Sequence, residues 1–467
     1  MPQPITPDYS QQFLLPPALE EWVPRDHPAR FIREFVDALD LQELGFVIPE
    51  CAEGRPPYAP SLLLKIWLYG YLQRVRATRK LEIACREHLS LLWLSGMIQP
   101  DHNSLWRFWQ KNRAALREVY KQTVKVAVRT GCVGLVLQAV DGTKLEAASS
   151  SRRGWSKKQM EKLLAGLDQA AAKTEAEVLE ANADESTPGY RLPAGLAERA
   201  ALRAEIKKGL AQLAADGRRH YQSIEPEARR MKVGQVNRYA YNAQAVSDAR
   251  SGIITASEVS RQETDAGQLV PMIQQAQANV EVPGAAPLTL ADTGYGAGAD
   301  LQAAAEAGLE VLAPPAQGTP PKGNPYAAMH FHYDATQGTV TCPMQRTLDH
   351  EGGTTHDGQW VERYRCHHRD CPVRAQCTRD PKGRQIEVRQ HTPVVQAMRE
   401  RLRHPVALAQ YGRRSAIIEP CFARIKQHDG FRRFTVWGLA AVRTQWSLLC
   451  AVANLRVLYK HWKPAPA

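Results

Sequence analysis

The apolar positions along the first 130 residues recur at helical spacing, and they predict an all-helical segment. Pro60-Ser61 opens a helix that runs LLLKIWLYGYLQRVRATRK, with Leu63, Ile66, Trp67, Tyr69 and Tyr71 apolar and Arg74, Arg76, Arg79 and Lys80 at its end. Short helical stretches follow around Leu81–Leu89 and Leu91–Leu94. After the turn MIQPDHNS comes a further helix, LWRFWQKNRAALREVYKQTVKVAVR, with Asn103 or Ser104 as its cap.

The pattern changes at Leu135. In LVLQAVDGTKLEA, Leu135, Val136, Leu137, Ala139 and Val140 make a nearly continuous apolar run, as expected of a strand covered on both faces. The run is expected to break at Asp141-Gly142 and to resume as a second short strand. From residue 157 to about 182, Met160, Leu164, Leu167, Ala171, Thr174 and Val178 form a narrow helical seam. The linker DESTPGYRLPAG interrupts it, and Leu202, Ile206, Leu210 and Leu213 mark a second helix, so the pair is expected to be a helical hairpin inserted into the fold. From Arg238 on, YAYNAQAVSDARSGIITASEVSR reads as two strands around the turn Asp248–Gly252. A helix with Thr264 or Asp265 as its cap follows. Then come the strand PLTLADTGYG ending at Asp292, a short helix in GADLQAAAEAG, and the strand LEVLAPP. Strand, hairpin, helix, strand, helix, strand predicts an α/β architecture, a mixed sheet with helices on its faces.

Composition narrows the class. The 467 residues, 44% of them apolar and 23% charged, can bury a large core in two or more domains. A net charge of +12, from 60 Lys and Arg against 48 Asp and Glu, points to a polyanionic partner such as DNA or RNA. Short helices separated by tight turns and rich in Arg, Lys and Trp suit a helix-turn-helix-like module in the N-terminal region, with a plain helical bundle as the alternative. No run of 18 apolar residues occurs; Trp446 to Tyr459 is broken by Asn454 and Arg456, so no membrane partner is expected. MPQPITPDYSQQF lacks the charged lead and apolar core of a signal peptide, and the expectation is a cytoplasmic protein, nucleoid-associated when bound to DNA.

Candidate chemistry begins with the acids. An acid ending a buried strand is either a turn residue or one leg of a metal site. Asp141 and Asp292 both stand there, each followed by glycine within two residues. In SAIIEPCFARIKQHDGFRRF, Glu419 and Lys426 are two helical turns apart and share a face. Ile417, Ile418, Phe422 and Ile425 must pack on the sheet, which would aim Glu419 at the strand ends. Two strand-terminal Asp residues and one helix Glu are what a two-metal phosphoryl-transfer site needs, since carboxylates are hard oxygen ligands for Mg²⁺. The loop ASSSRRGWSKK, with Arg152, Arg153 and an exposed-looking Trp155, is either a linker or a segment lying along a phosphate backbone. Cys342, Cys366, Cys371 and Cys377 suggest a structural Zn²⁺ site, with free thiols as the alternative and redox chemistry a weaker one. Their spacing is wider than the common ribbon, and His350, His356, His367 and His368 could substitute.

The order DGTKLEA, YNAQAVSDARSGIITASEV, LADTGYG, YGRRSAIIEPCFARIK resembles the DDE transposases of bacterial insertion sequences, within the IS-eleven-eighty-two group of the IS-four and IS-five assemblage. The resemblance covers nearly the whole chain and implies a ribonuclease-H-like catalytic fold with Mg²⁺- or Mn²⁺-dependent cutting and joining of DNA, two ions being held at the site. It puts the metal-binding catalytic acids at Asp141, Asp292 and Glu419. The family signature around the Glu is matched by Tyr411, Arg414, Glu419 and Lys426, with the Arg-to-Glu spacing one residue longer than usual. The domains then run as a helical DNA-binding domain (1–130), catalytic core (131–156), helical hairpin insertion (157–231), core (232–320), Cys-rich insertion (321–390) and core with C-terminal helices (391–467). Double-stranded DNA, as terminal inverted repeats and as target, is the implied partner, and a homodimer the expected assembly. Two alternatives remain: a catalytically inactive transposase-derived DNA-binding protein, and a nuclease of the same fold without strand transfer.

Overall fold

The computed structural model describes residues 18–48, 56–150, 154–181, 194–285, 287–316, 324–356 and 358–464. The chain forms two compact units. One comprises Met1–Val133, Arg424–Gly430 and Thr444–Ala467; the other comprises Gly134–Ala423 and Phe431–Arg443. Residues 444–467 therefore group with the N-terminal helices, whereas the sequence pattern assigned them to the catalytic core.

The first unit is helical. The helix expected from Pro60 to Lys80 divides into Pro60–Leu72 and Thr78–Glu87, because Arg74 adopts a left-handed φ of 66°. The two helices meet closely at Gly70, where a Cβ would overlap Leu81. The later helix likewise divides, into His102–Lys111 and Arg113–Arg129. Its cap is Asp101 rather than Asn103 or Ser104: the Asp101 carboxylate accepts the N–H groups of both, at 2.9 and 3.0 Å. The polar residues that interrupt the apolar C-terminal helix have partners inside this unit. Asn454 donates to Thr123 Oγ1 at 3.1 Å, and Arg456 holds both oxygens of the buried Asp429 at 2.5 and 2.7 Å. Arg76, one of the basic residues following the first helix, donates to the Asp429 carbonyl. Among the described residues no helix is long and apolar enough to cross a membrane.

The second unit is built on a mixed sheet. Leu137–Glu146 lies at its centre, antiparallel to Val236–Asp248 on one side and parallel to Leu288–Leu290 on the other, with Val311–Leu312 parallel beyond. Arg229–Val233 and Ile254–Ser260 both pair antiparallel with Val236–Asp248. The central strand does not break at Asp141-Gly142. It pairs through both, Asp141 opposite Ala245 and Gly142 opposite Gln244, so Asp141 is not a turn residue. The strand also starts later than the apolar run, since Leu135 has a φ of 57° and Val136 is 75% exposed. The turn after Asp248 forms as expected, its carboxylate accepting the N–H groups of Arg250 and Ser251.

On one face, Val140, Val246 and Ala256 pack against Leu269, Met272, Ile273 and Ala276 of helix Leu269–Val280. Side chains alternate along a strand, so Asp141 points to the opposite face from Val140. Helix Arg414–Ala423 packs on strands Leu137–Glu146 and Val236–Asp248. Helices Lys157–Ala181 and Ala194–Ala215 join Gly154–Ser156 and His220–Gln222 around Met160, Ile206, Leu213 and Tyr221. Trp155 packs against that small core instead of standing exposed. Residues between 332 and 389 form a separate five-stranded antiparallel sheet.

Candidate active site

Register brings the two aspartates side by side. Ala139 is paired with Leu290 in the parallel ladder, and Asp141 and Asp292 each follow two residues later. The amide of the next residue, Gly142, donates to Asp141 Oδ1 at 2.7 Å. Asp292 caps the single 3₁₀ turn Thr293–Tyr295, its Oδ1 accepting the Gly294 N–H at 2.8 Å. Each acid is thus oriented by a nearby glycine amide, Gly142 in the strand itself and Gly294 in the turn after Asp292.

The pair carries unbalanced negative charge. Burial pushes the Asp141 carboxyl above its ordinary range; the charge of Asp292 adds to the push, while the Gly142 N–H and Arg414 oppose it. Arg414 Nη1 reaches Asp141 Oδ2 at 3.1 Å. Burial works against the Arg414 charge, yet Asp141 and Asp292 hold its pKa above the usual value. Burial raises the Tyr411 phenol, which lies within the influence of Arg414, Asp292 and Asp141. Arg414 and Tyr411 therefore lie near the aspartates.

Glu419 does not join them. It is exposed on helix Arg414–Ala423, whose buried face is Ile417, Ile418, Cys421 and Phe422. Among the described residues, no three of His, Cys, Asp and Glu are grouped so that they could hold a metal ion. Lys426 lies in the π-helical turn Arg424–His428, which belongs to the unit containing the N-terminal helices. Arg152 and Arg153 lie outside the described residues.

A further acid is present that the sequence pattern had marked only as a helix cap. Helix Leu269–Val280 begins after Gln268, so Asp265 caps nothing. Its Oδ1 instead accepts Lys144 Nζ at 3.2 Å, Asn242 Nδ2 at 2.7 Å and Gln244 Nε2 at 2.7 Å. Gln244 Oε1 in turn accepts the hydroxyl of the fully buried Tyr295. Burial raises that phenol's pKa well above the ordinary value, and the charges of Asp265, Asp141 and Asp292 add to it. Asn242 Oδ1 is buried with no donor, an orphan oxygen in the same neighbourhood. The signal for this group was present: Asn242 and Gln244 are two apart, hence on one strand face, opposite Lys144 and Gly142. The paired carboxylates, one of them disfavoured as a bare anion, fit a hard divalent cation.

The four cysteines also gather. Cys342 is buried in the core of the five-stranded sheet, with Cys366 and Cys377 packed against it. Burial raises the Cys377 thiol, opposed by Arg384, and the other three thiols add to the rise. The Arg346 N–H donates to Cys342 Sγ at 3.4 Å. All four are free thiols, and they are not grouped as a metal-ligand set.

Comparison with known families gives two matches. The family described as Transposase DDE domain matches residues 341–459, which include Tyr411, Arg414, Glu419 and Lys426 but neither aspartate. The family described as Transposase domain (DUF772) matches residues 17–111. No curated protein matches the chain.

Proposed function

We infer that this chain, which belongs to the DDE transposases of bacterial insertion sequences, uses Asp141, Asp292 and Glu419 to cut and join DNA at the ends of its element. Enzymes of this family act on DNA with divalent metal. The observation that carries the site assignment is the juxtaposition of Asp141 and Asp292, each held by a glycine amide and coupled electrostatically. The strand order, an antiparallel group followed by two parallel strands, supports a ribonuclease-H-like core.

Asp141 and Asp292 would hold Mg²⁺ ions; Glu419, exposed on helix Arg414–Ala423 and not grouped with them in this arrangement, is included as the third acid on the family resemblance alone and would have to turn toward them. When bound, such ions supply Lewis-acid stabilisation of the attacking and leaving oxygens of an in-line displacement. The chain's own residues position and neutralise. Arg414, held by Asp141, offers a planar guanidinium that can transfer to a phosphate by charge-assisted contacts, and Tyr411 flanks it. Lys426 would add a second phosphate contact. The N-terminal helices, covered by the second family match, would recognise terminal inverted repeats, and two chains would hold the paired ends. A structural zinc ion at Cys342, Cys366, Cys371 and Cys377 is part of the same proposal; the thiols share one small subdomain but do not meet as a ligand set, so it rests on their sequence pattern and is tested by metal analysis of the purified chain.

The test is a nicking and strand-transfer assay on DNA carrying the element ends. The wild type is expected to nick and join in Mg²⁺. Asp141→Asn, Asp292→Asn and Glu419→Gln are each expected to bind that DNA without cutting it. Undiminished cutting by any one of them removes that residue from the mechanism. DNA binding by the wild type with no nicking in Mg²⁺ or Mn²⁺ would favour the inactive alternative, and nicking without joined products the nuclease.

A further inference from the structure

Asp265 stands in the loop between strand Ile254–Ser260 and helix Leu269–Val280. Its Oδ1 collects donors from two strands, Lys144 on the central one and Asn242 and Gln244 on its antiparallel neighbour. Three convergent donors fix a carboxylate far more tightly than one ion pair does. Against this fixed group pack the two glycines of the candidate site. A Cβ at Gly142 would lie 2.5 Å from Asp265 Oδ1, and a Cβ at Gly294 would lie 3.3 Å from Asp265 Oδ2. These are the same two glycines whose amides donate to Asp141 Oδ1 and Asp292 Oδ1, at 2.7 and 2.8 Å.

We propose that Asp265 is a positioning residue that sets the relative placement of Asp141 and Asp292 by bracing Gly142 and Gly294 from beneath. The inference rests on the proposed role of the two aspartates in holding divalent cations. Strand alternation puts Gly142 and Lys144 on the face away from the Asp141 side chain, so Asp265 supports the pocket from its floor. Its occupied Oδ1 argues against a ligand role, as does the lack of any three grouped carboxylates among the described residues. Lys144, 20% exposed, balances its charge. The absence of a side chain at both glycines leaves room for one carboxylate beside the central strand at Gly142 and the turn at Gly294.

The experiment measures Mn²⁺ affinity of the full chain by electron paramagnetic resonance of free Mn²⁺, with thermal unfolding in chelator as a control for folding. Asp265→Ala is expected to weaken Mn²⁺ binding about tenfold, the scale of losing an outer support of a metal site, while Asp265→Asn stays within about threefold of wild type. The asparagine keeps an Oδ1 able to accept from Asn242 and Gln244, so it preserves the brace without the charge. Wild-type affinity in Asp265→Ala overturns the proposal. So does an Asp265→Asn loss as large as that of alanine, which would mark a charged ligand. If Asp265→Ala does not fold, Gly142→Ala asks the same question, because its Cβ would overlap Gln244 Nε2, Asp265 Oδ1 and Asn242 Oδ1 at 2.4, 2.5 and 2.8 Å and so disrupt the brace with its donors: weakened binding supports the brace and unchanged binding overturns it. Asp141→Asn separates the two levels. If it binds Mn²⁺ like wild type, the cation site at the aspartates falls, and the brace with it; if it alone loses binding, only the brace falls.

Discussion

Arg414 donates to Asp141 across 273 positions of sequence, at 3.1 Å, and so links the helix carrying the family signature to the central strand. This contact joins residues matched by the DDE domain family to an aspartate outside the matched range. It also partly neutralises a half-buried carboxyl whose neighbour is another acid. Removing the guanidinium takes away the counter-charge and, on the proposed function, a hydrogen-bond donor to phosphate. Arg414→Ala is expected to lower the nicking rate about 10- to 100-fold, the equivalent of one charge-assisted hydrogen bond of about 1.5–3 kcal/mol. Single-turnover nicking at saturating DNA measures it, and a rate within twofold of wild type would dismiss the role.

The raised pKa of Asp141 has a consequence for stability. An acid whose folded pKa lies above its unfolded value makes the native state hold its proton more tightly. Its charged form therefore costs stability at neutral pH, and the cost disappears as pH falls through the folded pKa. In chelator at neutral pH, Asp141→Asn is expected to unfold at a higher temperature than wild type. The gap should narrow on acidification through and above the usual carboxylate range. A gap that widens as pH falls contradicts the direction of the shift.

Tyr295 tests the floor of the pocket separately. Its buried hydroxyl donates to Gln244 Oε1, and burial keeps it protonated at all ordinary pH. Tyr295→Phe removes that donor from a buried acceptor at a cost of about 1–3 kcal/mol. Denaturant unfolding should report the loss, with an unchanged slope. No change in midpoint would mean that Gln244 is satisfied without the phenol.

In the helical unit, Asp429 is 3% exposed; both its oxygens accept from Arg456 Nη1, and His428 Nδ1 lies 2.9 Å from Oδ1. Asp429→Ala leaves that guanidinium without its counter-charge, and the expected loss is about 3 kcal/mol or more. Thermal unfolding of the full chain measures it. A shift of less than a degree would show that Arg456 finds another acceptor.

Much of this molecule is legible in its amino-acid order because the information is local. An apolar run ended by an acid marks the strand end before Asp292, whereas at Asp141 the strand runs on to Glu146 because a neighbouring strand pairs with it. The hairpin turn at Asp248 depends on side-chain bonds to residues two and three ahead, and it was anticipated correctly. Helix boundaries were less secure where one backbone angle decides them: Arg74 takes the left-handed angle that closes the first helix, the Val75 N–H donating back to the Gly70 carbonyl at 2.7 Å. Asp265 looked like a cap because Thr-Asp before an apolar stretch has that local meaning. Only folding decided otherwise, by bringing Lys144 from 121 positions away and making the carboxylate more valuable as a shared acceptor than as an end-stop. Asp141 and Asp292 stand out in the chain as acids that follow apolar runs; that they lie side by side depended on sheet register, which no single segment carries.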